Sequence, residues 1–209
     1  FLDGARRMVE YLADTALPDR RTVAGEPGIP DSELQPGLAH GVAGPCLFLA
    51  EMSAHAPDRA VRRLRDAAFR WLDDHALATA GEGLSWPKDI TTRVRRYHWC
   101  HGSVGVGQAY LALHRASGES RALTVAEAAA GAAWQCHRRQ RGGLGSHCHG
   151  TAGAIEFFLD LHEAGAGARW RERAEALARR RFTPRGGARA PHRGRGALTL
   201  GGEGAGLML

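Results

Sequence analysis

Lysine is almost absent from this chain of 209 residues: Lys88 is the only one, and arginine carries the rest of the basic charge. With Ala and Gly abundant, this is what a high-GC codon bias produces. The formal net charge of +6 is therefore discounted as a sign of nucleic-acid binding, and no nucleic-acid partner is expected. Arg62-Arg63, Arg138-Arg139 and Arg179-Arg180-Arg181 fall in amphipathic stretches, where solvated helix faces carry such charge. Attraction of an acidic peptide is the functional reading left open for them. No apolar run approaches the ~18 residues of a membrane span. The opening Phe1-Leu2-Asp3 lacks the basic-then-apolar pattern of a signal peptide. Cysteines are few (Cys46, Cys100, Cys136 and Cys148), too sparse for a disulfide scaffold. The expected compartment is reduced and cytoplasmic. Strand signals are scarce too, with no long apolar–polar alternation.

The balance present, 44% hydrophobic and 24% charged, suits one sizeable core, read as a single domain over 1–209. A Gly-x-x-Gly followed by an apolar stretch occurs four times, beginning at Gly41, Gly102, Gly150 and Gly201. The spacings of 61, 48 and 51 residues fit one helical hairpin plus a return loop. Between them, 45–54 and 58–78, 104–113 and 121–139, and 152–162 and 169–182 read as helix pairs. The first of each pair is apolar nearly all round, as in Ala154-Ile155-Glu156-Phe157-Phe158-Leu159. The second carries Arg and Glu on one face. Buried inner helices ringed by amphipathic outer ones make an all-α fold, an α/α toroid. The glycines are expected to let inner helices approach closely at the axis. Segments 20–35 and 184–196, rich in Pro, Gly and charge, read as surface loops.

Trp99-Cys100-His101-Gly102 and Cys148-His149-Gly150 concentrate the chemistry. Cys100, Cys148 and His149 form a Cys₂His set, which with an open fourth position is a catalytic zinc arrangement. The two cysteines stand 48 residues apart, so a metal there ties two distant elements rather than building a zinc finger. Cys46 and Cys136 sit in apolar or helical stretches and read as buried, non-ligand thiols. His98, His101 and His147 lie close enough to act as further ligands or as supports of the ligands.

With Gly37-Leu38-Ala39-His40-Gly41-Val42-Ala43-Gly44 added, these pieces resemble the lanthionine synthetase C-like family in order and in type. The resemblance implies that Cys100, Cys148 and His149 bind Zn²⁺ and that His40 and Arg96 lie in the active site. It also implies a catalytic Asp upstream of His40, which has no match in this chain. Pro30 stands where some members have a second His, and His101 where many have Tyr. Family members close a full ring of hairpins. The chain is therefore expected to be a partial cyclase domain, lacking N-terminal hairpins and the end of its last helix. Its closest look is to cyclase domains that follow a kinase-like or lyase region in a larger protein.

The activity implied is thioether formation on a dehydrated precursor peptide. A Cys thiolate adds to dehydroalanine or dehydrobutyrine, with Arg96 stabilising the enolate oxygen and His40 moving a proton. A free thiol, with a pKa of about 8.5, is only a few per cent thiolate at neutral pH, and a metal supplies the difference. The alternatives are addition of glutathione or another thiol to dehydrated residues, and a zinc-stabilised α/α scaffold that binds peptide without turnover. A toroid glycosidase ranks low, because Glu156 and Glu203 lack aromatic sugar platforms.

Overall fold

A computed structural model of the protein describes residues 2–15, 34–56, 58–79, 81, 83–140 and 145–182. In chain order its elements are α1 (Leu2–Thr15), α2 (Ala43–His55), α3 (Arg59–Asp74), β1 (Leu77–Thr79), β2 (Gly83–Pro87), β3 (Arg95–Arg96), α4 (Ser103–Ser117), α5 (Ser120–His137), α6 (Thr151–Glu163) and α7 (Ala168–Phe182). The fourth Gly-x-x-Gly, segment 184–196 and all but the last two residues of 20–35 lie outside the described residues.

Local sequence explains how the helices start, stop and face. Asp58 caps α3 by accepting a hydrogen bond from the Ala60 N–H, satisfying one of the helix's free donors. Val61, Ala68, Phe69, Trp71 and Leu72 then recur at helical spacing and are buried, while Arg62, Arg63 and Arg70 face water. Helix α4 ends at Gly118, whose φ of +74° is the left-handed geometry that closes a helix. Its own sequence is apolar almost all round, and ten of its residues from Ser103 to Leu113 are buried.

That difference sorts the helices into two layers. Helix α4 packs between α2 and α6, and each of the three packs on its sequence successor: α2 on α3, α4 on α5, α6 on α7. The result is an arc of three helical hairpins, part of an α/α toroid, with α2, α4 and α6 inside. Tyr110 of α4 locks the layers together. Its hydroxyl donates to Asp73 of α3 at 2.6 Å, and the other Asp73 oxygen takes Arg121 of α5 at 2.8 Å.

Two features depart from the sequence reading. Helix α1 was not anticipated, and neither was an antiparallel sheet of order β1-β2-β3. The strands have two to five residues, too short to leave an alternating pattern. Tertiary packing holds them: Trp86 of β2 is fully buried, its Nε1 donates to the Leu72 carbonyl at 2.8 Å, and β2 lies on α5. The sheet carries the chain from the first hairpin to the loop before α4.

Two glycines test this packing in opposite directions. A Cβ at Gly107 would run into the ring of fully buried Phe157, whereas one at Gly131 of α5 would meet nothing within 4 Å. Gly107→Ala is expected to cost about 1–3 kcal/mol, lowering Tm by roughly 2–12 °C. Gly131→Ala is expected to add about 0.5–1 kcal/mol. Thermal unfolding of the two variants checks both signs.

Candidate metal centre

The loops entering α2, α4 and α6 share one crossing, because each folds back on its own backbone. A Cβ on the second glycine of each Gly-x-x-Gly would strike the carbonyl oxygen six residues earlier: Leu38 for Gly44 (2.7 Å), Trp99 for Gly105, and His147 for Gly153 (2.5 Å). The first glycines repeat the offset, Gly41 against the Gln35 carbonyl and Gly102 against that of Arg96. Gly102 also has φ +102°, a geometry that side chains resist. These glycines therefore serve mainly the loops, not helix approach at the axis as expected from sequence. The contacts between hairpins are loop to loop, with Gly105 against the Leu38 Cβ and Gly153 against that of Trp99.

Backbone hydrogen bonds join the loops in series. The Ala39 N–H donates to the Cys100 carbonyl at 3.3 Å, and the Cys100 N–H donates to that of Cys148 at 3.4 Å. All three loops thus gather at the N-terminal ends of the inner helices, whose dipoles favour negative charge such as thiolate.

Cys100, Cys148 and His149 meet there, with their sulfurs and one imidazole nitrogen within 4.8 Å of one another. The Cys100 Sγ is 3.2 Å from the His149 Nε2. Ligand atoms around a tetrahedral zinc stand about 3.5–3.8 Å apart, given bonds of about 2.0–2.3 Å, so the set fits that ion in type and needs shifts of a fraction of an ångström to about one in spacing. Cys100 is buried, Cys148 half-buried and His149 exposed, so the group opens to solvent on the His149 side. Burial, reinforced by its hydrogen bond with Cys148, pushes the Cys100 thiol up to about 12. A metal binding here must expel that proton.

Further histidines surround the donors. His40 is exposed and stacks on His101, ring centroids 4.5 Å apart and planes 12° from parallel. His98 lies between His137 and His149, at 5.9 and 6.1 Å. Burial pushes His98 down to about 4, with His137, His149 and Arg96 adding to it. His101 is likewise pushed to about 4 by burial first, then by His40, His149, Arg96 and Lys88. Both rings are therefore neutral at pH 7. The charge of Arg96 acts on both rings, whereas its strand neighbour Arg95 bonds the Ala78 carbonyl instead. Alternation along β3 separates the two arginines. His147 pairs with Glu156 at 2.9 Å and packs edge-on to Trp99. Cys46 is fully buried, and Cys136 is only half-buried, contrary to the expectation for it.

A sequence signal for His101 was missed. Aligned on their first glycines, the three loops read Ala39-His40-Gly41, Cys100-His101-Gly102 and Cys148-His149-Gly150. His40, His101 and His149 are thus equivalent positions of a repeat, as are Leu38, Trp99 and His147. Below these loops, a cavity of about 400 Å³ is lined by Leu38, Leu47, Trp99, Leu111, Arg115 and Asp160. Burial raises the Asp160 carboxyl above its ordinary value, and Arg115 opposes the rise.

Comparison with known proteins bears on this arrangement. The family model described as lanthionine synthetase C-like protein matches residues 8–192. Among solved structures, a nisin cyclase superposes with a TM-score of 0.63 at 18% identity, covering 82% of this chain and 48% of that one. The chain thus spans about half the length of that cyclase. At this identity the match speaks for the fold. No curated protein matches the sequence.

Gly37 presses on the Cys100 carbonyl and lies 3.2 Å, measured from a Cβ built on it, from the His101 Cα. Gly37→Ala is expected to part the first loop from the second at about 1–3 kcal/mol. The check is a lowered Tm together with loss, in proton NMR, of the ring-current shift that His101 imposes on His40. Gly4→Ala, whose Cβ meets only the Arg7 guanidinium at 3.8 Å, should change neither.

Proposed function

The chain belongs to the lanthionine synthetase C-like family, and from that membership we propose that it is a zinc-dependent cyclase that forms thioether rings in a dehydrated precursor peptide. The observation that carries the reading is the Cys100–Cys148–His149 donor set, open on one side to solvent. Bound there, zinc would supply a substrate cysteine as thiolate at neutral pH, ready to add to the β-carbon of dehydroalanine or dehydrobutyrine.

The rest of the chemistry falls to the chain. The exposed His40 stacks on His101, the residue next to the Cys100 donor. It transfers a proton, taken from the incoming thiol or delivered to the enolate carbon. Arg96, whose charge reaches His98 and His101, stabilises the negative charge that grows on the enolate oxygen. His98 and His101, neutral through burial, add no competing positive charge. The cavity of about 400 Å³ beneath the loops offers the peptide side chains a mostly apolar floor. Cytoplasmic action suits two reduced metal-binding thiols, and among the described residues no helix is long and apolar enough to cross a membrane.

The metal is tested first. Purified protein is expected to hold one zinc, Cys148→Ala to lose it and Cys136→Ala to keep it. Equal zinc in Cys148→Ala and the parent would refute the ligand set. Because Cys100 carries its proton until a metal takes it, zinc affinity falls as pH falls, roughly tenfold per unit for each proton released. A chromophoric chelator in competition at two pH values measures this.

Activity is tested with a dehydrated peptide bearing one cysteine. The expected outcome is loss of the thiol's reaction with N-ethylmaleimide at unchanged peptide mass. His40→Asn and Arg96→Gln should slow it by about 10²–10⁴ and 10²–10³ respectively, while retaining zinc. A thiol that persists with zinc-loaded protein would overturn the cyclase reading. Consumption of added glutathione instead would mark an enzyme that joins free thiols.

A further inference from the structure

On the outer surface between α5 and α7 one guanidinium has no carboxylate to bond among the described residues. Arg173 lies 4.7 Å from the ring centre of Trp170 and 5.5 Å from that of Trp134. Arg169 also lies over Trp170, at 5.2 Å. Glu127, whose charge acts on Arg173, is already engaged: its Oε1 accepts from the Trp170 Nε1 at 2.9 Å and from Arg169. Arg173 has no ion-pair partner among the described residues. It is half-buried, and burial together with the charges of Arg169 and Arg138 pushes its pKa below the ordinary value for arginine. Two indoles thus hold a planar cation flat, leaving its edge of N–H donors for a planar anion such as a carboxylate.

This cation borders space. Arg173, Trp134, Glu127 and Gln135 line a cavity of about 480 Å³. Gln135 also lines a second cavity, of about 360 Å³, with Tyr97, Cys136 and Arg139. Their lining residues on α5 run from Thr124 to Cys136, about 18 Å, the length of roughly five extended residues. That is too long for one small anion and right for a peptide segment. Tyr97 at the far end stands three residues before Cys100. Of the chain's segments outside the described residues, 16–33 is acidic, with Asp19, Glu26, Asp31 and Glu33 against Arg20 and Arg21. Occupation of the groove by that segment is a second outcome of the test below, seen as peptide affinity that rises when 16–33 is deleted, and it would overturn the proposal. Residues 141–144 and 183–209 carry Arg141, Arg185, Arg189, Arg193 and Arg195 against Glu203 alone.

We propose that the α5–α7 groove docks an acidic segment of the precursor peptide, with a Glu or Asp carboxylate on Arg173 and the chain running past Gln135 toward Tyr97 and the metal loops. The inference rests on the peptide-cyclase reading for the identity of the partner. The docking chemistry does not depend on the metal.

The test is fluorescence anisotropy with a fluorescein-labelled peptide of alternating Glu and Ala, lacking cysteine and dehydrated residues, titrated with the full chain. The wild type is expected to bind it, to bind the Gln–Ala counterpart at least about tenfold more weakly, and to lose affinity as salt rises. Arg173→Gln should weaken the Glu peptide at least about tenfold. Arg173→Lys, which keeps the charge and loses the fork, should fall between. Arg62→Gln, on the exposed face of α3, should match wild type, with unchanged circular dichroism for every variant. Cys148→Ala should also bind as wild type does, so docking stands or falls separately from cyclisation. Undiminished binding by Arg173→Gln, or equal binding of the Gln peptide, would overturn the proposal. So would self-association through this face, seen as a mass change in Arg173→Gln by sedimentation without peptide binding.

Discussion

Everything at the candidate metal centre depends on one steric constraint. Each loop before an inner helix crosses its own backbone six residues back, at a distance where only glycine fits. With the crossing fixed, the two residues before the first glycine take equivalent places in all three hairpins. What stands there then decides the chemistry. Sulfur appears in the second and third loops, at Cys100 and Cys148, and not in the first, where Ala39 stands. The histidine that follows serves twice as a stacking pair, His40 on His101, and once, at His149, as a nitrogen beside the sulfurs. One threefold repeat thus presents a sulfur-bearing donor set in two loops and a stacked imidazole pair across two.

The layers extend the same logic outward. Inner helices that are apolar all round can only exist covered, and α3, α5 and α7 cover them. The Tyr110–Asp73–Arg121 link pins three helices across that interface, giving a buried hydroxyl its partner and leaving the carboxylate's second oxygen to a cation at the rim.

Much of this was legible in sequence because helices announce themselves by period. The expected pairs 104–113 with 121–139 and 152–162 with 169–182 lie on α4 with α5 and α6 with α7, their ends shifted by a few residues. The short strands were not legible, since their stability lies in Trp86 packing on α5 and in a hydrogen bond to Leu72, 14 residues away. Arg96 was named from the family resemblance alone, and the bond of its strand neighbour Arg95 to the Ala78 carbonyl was not legible in the sequence. The donor residues were legible as a chemical set, but the pairing of His40 with His101 and of His147 with Glu156 depends on how loops meet, which spacing along one chain does not encode.

The burial that lifts the Cys100 thiol also bears on its survival in air. Cys100 and Cys148 hold their sulfurs within 4.8 Å, near enough for oxidation to threaten a bond between them. Only thiolate begins that chemistry. With its pKa pushed up to about 12, Cys100 offers at neutral pH roughly a thousandfold less thiolate than an ordinary cysteine. Burial thus shields the Cys100 sulfur, and Cys148, the less buried of the two, is the sulfur that oxidants reach first.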